Sequence, residues 1–412
     1  MDNNPVVHRP VSITKKVSMS IPETEVLNNL VARVFRVDDV TSEDPRKGFF
    51  LRYRGHLLDE DSVSLYDRLA DSLIPYSIIP LFRVEDGRQV IYLAPKPPEP
   101  KKDNISTNII LFVLTVFSVM LAGAQPEGLF PADFFGQMLM LLKSILSGWP
   151  FALSLMGILL AHELGHYFMS RYHKTPATLP YFIPLPPPLG LLGTMGAAII
   201  MRGIPKNKRI LFDIGVAGPI AGLVIAIPVL FLGLSLSTTG VIDPSPGGFL
   251  EGNSLLYLFA KFATFGKLLP APVEPQGILY WLRFFFTGRP IPFGGMDVFI
   301  HPVAFAGWAG LLVTSLNLIP AGTLDGGHVI YTLFGDNARK AFPFITGLLI
   351  VGGYFWSGWW LWAIILYWLG RVNAEPLDQI TTLDPPRRLL GYAMIIVFFL
   401  VLMPVPFMTL AQ

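Results

Sequence analysis

Five apolar runs in this chain are each long enough to cross the hydrocarbon core of a membrane, a distance that takes about 20 helical residues. The runs are residues 107–124, 149–170, 210–236, 302–319 and 389–405. Apolar residues make up 52% of the chain and charged residues only 15%, so the composition agrees with the runs. Backbone N–H and C=O groups inside a bilayer must be satisfied within the chain, which helices achieve. The sequence therefore predicts an all-α polytopic membrane protein.

A sixth apolar stretch, residues 341–370, is interrupted by Gly352-Gly353 and Ser357-Gly358. It can be interpreted as one long tilted helix or as two short ones. Connections rich in Lys and Arg stay on the cytoplasmic side of a membrane. The basic clusters around the stretch are Arg339-Lys340, Arg371 and Arg387-Arg388. All of them can be cytoplasmic only if the stretch crosses out and back, so we favour two helices and expect about six to seven transmembrane helices in total.

The connection between the second and third runs is also strongly basic. It carries Arg171, Lys174, Arg202, Lys206, Lys208 and Arg209. By the same rule this connection is cytoplasmic, so the second run crosses inward and ends at the cytoplasmic face. Residues 1–20 contain no apolar core of the length that a signal peptide needs. The N-terminal region is therefore expected to stay in the cytoplasm.

Residues 17–95 carry more charge, and their apolar positions follow short amphipathic patterns. The predicted elements are a helix that begins near Glu23, a strand at 49–53, a helix at 59–73, and a hairpin of strands 78–84 and 89–93 around Asp86-Gly87. This pattern predicts a small N-terminal α+β soluble domain. Residues 96–106 form a Pro- and Lys-rich linker, and residues 107–412 form the transmembrane domain.

Charge and cysteine content narrow the possible partners. The formal net charge is +2 and the basic residues form no stripe, so the lipid bilayer and not nucleic acid is the expected environment. The chain contains no cysteine, which excludes disulfides and thiolate ligands. Any zinc must therefore be bound by histidine and carboxylate groups.

The second run contains an ionisable motif, His162-Glu163-Leu164-Gly165-His166. On a helix, residues four positions apart share one face, so both imidazoles can bind one Zn²⁺. Glu163 lies beside them, where it can take a proton from a water molecule activated by the metal. Ionisable groups are costly inside a membrane and mark functional cavities. The motif therefore predicts a zinc hydrolase site near the cytoplasmic end of this helix.

A third ligand is expected after the fourth run, which also crosses inward and ends near Asn317. A catalytic zinc site needs three protein ligands and an open position, and Asp325 is the carboxylate at the matching depth. Asn317 is expected to donate a hydrogen bond to the oxyanion that forms when a peptide carbonyl is attacked. His328 is expected to form a hydrogen bond and not a metal bond, because the ligand set is already complete.

With these residues in place, the chain resembles the site-2 protease family of intramembrane metalloproteases over residues 149–330. The resemblance rests on His162-Glu163-x-x-His166, Asn317-x-x-Pro320, Leu324-Asp325-Gly326, Gly193-Thr-Met-Gly196 and Ala217-Gly218-Pro219-x-Ala221-Gly222. It implies one Zn²⁺ per chain, bound by His162, His166 and Asp325, with Glu163 as the catalytic base. The activity implied is hydrolysis of peptide bonds within or near the transmembrane segments of single-span or other membrane proteins.

The resemblance also implies a re-entrant β-hairpin-like loop around Gly193 and Gly196 that binds substrate. We expect the residues from Gly193 to Met201 to form a strand whose edge pairs with an unwound substrate. The N-terminal domain is similar to that of some bacterial, archaeal and plastid members, so a bacterial or archaeal cell membrane or a plastid membrane is the expected location. This domain is a candidate binding site for a cytoplasmic partner or ligand.

Two other functions fit some of the same residues. In a membrane transporter or ion-binding protein, the His, Glu and Asp side chains would form a proton or metal relay. The absence of an internal repeat and of a second buried charge path in the sequence disfavours a transporter. A proteolytically silent relative that acts through its N-terminal domain is disfavoured by the intact motif.

Overall fold

The computed structural model describes residues 23–42, 48–98, 104–128, 131, 133–243, 248–369 and 374–410. These residues form two compact units. The first unit takes its described residues from Met1–Lys101, Ile204–Arg209 and Glu375–Leu383, and the second from Lys102–Gly203, Ile210–Ala374 and Asp384–Gln412. Residues 17–22 of the predicted domain, 99–103 of the predicted linker, and Gly370 and Arg371 lie outside the described residues.

The first unit contains a four-stranded antiparallel sheet with two helices. Its elements are α1 (Thr24–Ala32), β1 (Phe35–Ser42), β2 (Leu51–Leu57), α2 (Ser62–Leu73), β3 (Ile78–Glu85) and β4 (Arg88–Pro95). The strand order is β1-β2-β4-β3. Leu27 of α1, Leu69 of α2 and Phe82 of β3 are almost completely buried in one apolar core. The two predicted helices and the hairpin are present, β2 begins two residues later than predicted, and β1 was not predicted.

The edge of this sheet at β3 is extended by a segment from far along the chain. The N–H of Phe82 donates to the carbonyl of Leu377 at 2.9 Å. On the other side of the segment, the N–H of Leu377 donates to the Pro205 carbonyl at 2.9 Å, and the N–H of Asp378 donates to the Lys206 carbonyl at 2.7 Å. The unit therefore includes two connections that the predicted domain boundaries, 17–95, do not contain.

Asp378 is completely buried within this arrangement. Its Oδ1 accepts hydrogen bonds from the backbone N–H groups of Ile380 at 2.8 Å and Thr381 at 3.2 Å. Its Oδ2 accepts from the hydroxyl of Ser62 at 3.0 Å and from the hydroxyl of Thr381. A buried charge is tolerated only when it is compensated, and these four donors compensate the carboxylate.

Asp378→Ala is expected to destabilise the first unit by about 3 kcal/mol, because hydrogen bonds to a charged acceptor are lost and buried N–H groups are left unpaired. Hydrogen exchange of the full-length protein, followed at the amides of Ile380 and Thr381, would report this as faster local opening. Asp378→Asn keeps an oxygen acceptor and should show a smaller effect. Wild-type protection in the Ala variant would contradict the role assigned to the carboxylate.

The second unit contains the long apolar helices. Its elements are α3 (Ile105–Ala122), α4 (Phe134–Lys143), α5 (Trp149–Tyr172), β5 (Tyr181–Pro184), β6 (Thr194–Ala198), α6 (Lys208–Ser235, whose first two residues belong to the first unit), β7 (Thr238–Val241), β8 (Phe249–Glu251), α7 (Leu255–Phe265), α8 (Ile278–Thr287), β9 (Met296–Phe299), α9 (Pro302–Asn317), α10 (Asp325–Phe334), α11 (Asn337–Gly352), α12 (Gly358–Leu369), α13 (Pro385–Val401) and β10 (Phe407–Thr409).

Three helices of the described chain are long and apolar enough to cross a membrane, namely α3, α5 with the short 3₁₀ turn before it, and α6. The predicted fourth run corresponds to α9, which has 16 residues, and the last predicted run to α13, which has 17. The stretch 341–370 contains two separate helices, α11 and α12, as we favoured. Strands β5 and β6 pair antiparallel in the region of the predicted hairpin-like loop.

Helix α9 packs closely against both α5 and α6. A Cβ added at Gly307 would lie 2.6 Å from the Cα of Leu230 in α6, and one added at Gly310 would lie 3.0 Å from the Ile158 side chain in α5. Small residues at such contacts let apolar helices approach closely without a clash. The C-terminal end of α9, at Asn317, is thereby brought next to the second half of α5.

Residues 238–301, between α6 and α9, enclose a buried polar cluster. Lys261 and Asp297 are 0% and 4% exposed, and the Lys261 Nζ lies 3.4 Å from the Asp297 Oδ1. The Tyr257 hydroxyl donates to the Glu251 Oε1 at 2.7 Å. Burial, reinforced by the Asp297 carboxylate, raises the pKa of Glu251 to about 7.

The raised pKa of Glu251 predicts a pH-dependent stability. Because the folded chain holds this proton more tightly than the unfolded chain does, the unfolding free energy should fall as pH rises from about 4.3 to about 7. The Tm of the wild type in detergent is therefore expected to decrease over this range. Glu251→Gln keeps an acceptor for Tyr257 but cannot ionise, so its Tm should decrease less. Equal decreases in the two proteins would contradict the prediction.

Candidate active site

Two histidines of α5 and one aspartate of α10 converge within the second unit. His162 and His166 are 3% and 7% exposed, and their Nε2 atoms are 3.2 Å apart. Asp325 Oδ2 lies 3.3 Å from the His162 Nε2, and Asp325 Oδ1 lies 3.3 Å from the His166 Nε2. Ligands at about 2.1 Å from a tetrahedral Zn²⁺ lie about 3.4 Å from one another. The spacing of these side chains therefore fits one zinc ion.

The carbonyl of Ile214, in α6, fixes the orientation of one ligand. It lies 2.7 Å from the Nδ1 of His166, and because a carbonyl can only accept, this ring nitrogen carries the proton. The Nε2 of His166 is then the unprotonated nitrogen and faces Asp325. A hydrogen bond from the second ring nitrogen is the usual way in which proteins orient a histidine that binds a metal.

Three glycines of α6 make room for imidazole rings, and we call Gly215, Gly218 and Gly222 the glycine face of α6. A Cβ added at Gly218 would lie 2.0 Å from the His166 Nε2. One added at Gly222 would lie 3.2 Å from the His162 Nδ1, and one added at Gly215 would lie 2.9 Å from the His328 Cβ. Gly218 and Gly222 belong to the motif Ala217-Gly218-Pro219-x-Ala221-Gly222 and Gly215 does not, and a glycine gives no sign of which side chain occupies its space.

Glu163 lies next to the ligands and is 6% exposed. It lines a cavity of about 340 Å³ together with His162, His166 and Asp325. Ile199, just after β6, lines the same cavity. Glu163 is therefore held at the wall of the cavity that the three ligands share.

The charges of these groups favour a bound cation. Glu163 and Asp325 are two carboxylates in a buried site, and the neighbouring imidazoles are neutral when they bind a metal. No Lys or Arg is among the described residues that line the cavity. Uncompensated negative charge is costly in a buried site, and a divalent cation would balance it.

Asn317 lies at one end of the ligand set. Asn317 is the last residue of α9, and its side-chain Nδ2 lies 3.3 Å from the His162 Nε2. It lines the same cavity. The structure thus brings all five predicted catalytic and metal-binding residues to one cavity. The carboxamide is a hydrogen-bond donor that a molecule in the cavity could reach.

The two predicted substrate-binding glycines lie elsewhere. Gly193 has φ +75° and a Cβ there would lie 2.6 Å from the Ser118 carbonyl oxygen of α3, so this residue packs against a helix. Gly196 has φ +99° and open space at its Cβ position. Of the segment from Gly193 to Met201, the residues that line the cavity are Ala197, Ala198, Ile199 and Met201.

Comparison with known proteins gives a consistent set of relatives. Residues 150–352 match the family model described as peptidase family M50. The probable zinc metalloprotease EGY1 of Arabidopsis thaliana, described as chloroplastic, is 31% identical over 323 residues, which cover 72% of this chain and 52% of EGY1. EGY1 of Oryza sativa is 30% identical over 322 residues, which cover 72% of this chain and 49% of the Oryza protein. The probable zinc metalloprotease EGY2 of Arabidopsis thaliana is 26% identical over 410 residues, which cover 95% of this chain and 66% of EGY2.

The chain thus spans about half the length of the EGY1 relatives that it matches. No solved structure gives a significant match.

Proposed function

We propose that this chain, whose residues 150–352 belong to peptidase family M50, is a zinc metalloendopeptidase that hydrolyses peptide bonds within or near the transmembrane segments of other membrane proteins. The family membership agrees with the resemblance to the site-2 proteases seen in the sequence. The main support for the proposal is that the Nε2 atoms of His162 and His166 and the carboxylate oxygens of Asp325 lie 3.2–3.3 Å from one another. Two of these ligands lie on α5, a helix apolar enough to cross a membrane.

The metal site, Glu163 and Asn317 each have a separate role in the proposed peptide hydrolysis. Zn²⁺ bound at this site would act as a Lewis acid and lower the pKa of a water molecule. Glu163 takes the proton from the attacking water and passes it to the leaving amine. Asn317 donates its amide N–H to the oxygen of the scissile carbonyl, where negative charge develops.

The substrate must reach the cavity in an extended form, because a helix hides its peptide groups in internal hydrogen bonds. The segment from β6 to Ile199 supports this step, since Ala197, Ala198 and Ile199 line the cavity beside Glu163. An extended substrate segment can pair with the edge of such a strand. Gly196, which has open space at its Cβ position, lets a substrate backbone approach, and Gly193 holds the hairpin against α3.

About six to seven helices cross the membrane in the proposed topology. The N-terminal domain lies in the cytoplasm or, in a plastid, on the corresponding side of the membrane. Lys and Arg between α5 and α6 support this orientation. The chloroplastic names of the relatives support the plastid membrane among the proposed locations, which also include a bacterial or archaeal cell membrane. His162, Glu163, His166 and Asp325 converge on one cavity, and the sequence contains no internal repeat, so we do not favour an ion relay.

The first test is the metal content of the full-length protein in detergent. We expect about one zinc per wild-type chain, lost in His162→Ala and in Asp325→Ala. His56→Ala, which removes an exposed histidine of the first unit, is the matched control and should keep its zinc.

The second test is cleavage of a single-span protein whose transmembrane segment contains Gly and Pro. The wild type should cut a peptide bond of that segment, a chelator should stop the reaction, and added zinc should restore it. A wild-type protein that binds no zinc after metal addition would contradict the proposed function.

A further inference from the structure

His328 is a third buried imidazole beside the metal ligands. It lies one helical turn after Asp325 on α10, is 7% exposed and lines the same cavity. Its backbone is fixed, because its N–H donates to the Leu324 carbonyl at 3.0 Å and its carbonyl accepts from the Thr332 hydroxyl at 2.9 Å. Within the described part of the chain, its ring forms no hydrogen bond with another protein group.

The ring of His328 lies outside the ligand set. The donor atoms of His162, His166 and Asp325 lie within 4.8 Å of one another, and among the described residues no nitrogen of His328 belongs to this group. A neutral imidazole carries one N–H in either tautomer, so His328 always offers a donor. Buried polar groups are nearly always hydrogen-bonded, and this donor can find a partner in a molecule that enters the cavity.

The glycine face of α6 shows the order in which the three imidazoles lie along that helix. Its three residues meet His162, His166 and His328 in turn, so the imidazoles form a row along the helix. His328 is at the His166 end of the row, whereas the Asn317 amide is at the other end, 3.3 Å from the His162 Nε2. Asn317 and His328 therefore lie next to different members of the His162–His166 pair, and we assign them to different substrate oxygens.

We propose that His328 is a substrate-binding residue, which donates its ring N–H to a main-chain carbonyl of the unwound substrate next to the scissile bond. This inference rests on the proposed function, with Asn317 at the scissile carbonyl itself. Carbonyls on one side of an extended chain repeat every two residues, so one of them can accept from Asn317 and the next from His328.

The physical need for such a donor is strong in this setting. Unwinding a transmembrane helix exposes carbonyls that water satisfies poorly at membrane depth, and each unsatisfied group is costly. A donor fixed on α10 offsets part of this cost and favours extended substrates. His328 therefore acts through binding and does not exchange its proton in the reaction.

The test uses inert ligands and full-length, zinc-loaded protein in which Glu163→Gln prevents turnover. The ligands are a hydroxamate-capped tripeptide, which binds zinc through the hydroxamate, and analogues in which each amide carbonyl in turn is replaced by CH₂. Their Kd values are measured with His328 intact and with His328→Phe or His328→Gln added. His328→Phe keeps a planar ring without a donor, and His328→Gln restores an N–H.

With His328 intact, one CH₂ analogue should bind about 10- to 100-fold more weakly than the parent peptide. His328→Phe should abolish this difference for that analogue only, with zinc content unchanged, and His328→Gln should restore part of it. An unchanged difference in the Phe variant would overturn the proposal for His328 alone, and so would loss of zinc from that variant. Failure of any hydroxamate to bind the protein with His328 intact would count against the proposed function as well.

Discussion

A Glu163→Gln protein is expected to bind one zinc per chain and to cleave a transmembrane test protein about 10²- to 10⁴-fold more slowly than the wild type. Glu163 is not one of the three ligands, so the metal site should remain. Gln is close to Glu in shape, so it should occupy the same place at the wall of the cavity. What it cannot do is take a proton from water. The result should be a fall in kcat, measured by product formation, together with normal zinc content.

The matched control is the same substitution at another buried glutamate. Glu251 is 5% exposed and belongs to the same compact unit, but it lies in the polar cluster of residues 238–301. Glu251→Gln should therefore keep both zinc and activity near neutral pH. Wild-type cleavage by Glu163→Gln would remove this residue from the mechanism, and loss of zinc would indicate that it holds the metal site together.

The local part of the site could be predicted because helix geometry links sequence to space. Two histidines four positions apart on one helix must share a face, so His162 and His166 required no tertiary information. Asp325 is distant in the chain, and its assignment needed a second constraint. Membrane topology supplied it, because helices that cross in the same direction end at the same depth.

The glycine face of α6 could not be assigned from sequence for a physical reason. A glycine in the sequence indicates only that a side chain at that position would clash with something. The group that it would clash with belongs to another helix. Gly218 therefore suggests close packing in general, whereas the structure shows that the group next to it is the Nε2 nitrogen of His166. The same limit applies to the hairpin, where the cavity is lined by Ala197–Ile199 and not by the glycines of the motif.

In the first unit, the elements with regular apolar spacing were predicted and the others were not. Strand β1 has a single buried position, Phe35, so it lacks the alternation that marks a strand. The segment around Leu377 that extends the sheet at β3 pairs through backbone groups, which any sequence offers. Asp378 looks like an ordinary loop residue until its four donors are seen together.

Gly218→Ala is expected to abolish zinc binding, or to weaken it more than about 100-fold, although alanine is the best helix former. A Cβ at this position would lie 2.0 Å from the His166 Nε2, 2.4 Å from its Cδ2 and 2.5 Å from its Cε1. The ring cannot keep its place, and moving it breaks the hydrogen bond to the Ile214 carbonyl as well. Loss of a ligand should remove both metal and cleavage, which metal analysis and the transmembrane test protein would show.

Alanine substitutions at two further glycines form a graded series with Gly218→Ala. The series separates a clash with a histidine ring from a general effect of alanine on helix packing. At Gly222 the added Cβ would lie 3.2 Å from the His162 Nδ1, so Gly222→Ala demands only a small shift and should weaken zinc binding less. At Gly157, also within an apolar helix, the added Cβ would meet nothing within 4 Å, and Gly157→Ala should keep zinc and slightly stabilise α5. The order of zinc loss should therefore be Gly218 first, Gly222 second and Gly157 last. Equal losses of zinc at all three positions would mean that alanine acts on helix packing and not on the ligands. Full zinc binding by Gly218→Ala would show that His166 binds no metal in the position seen here.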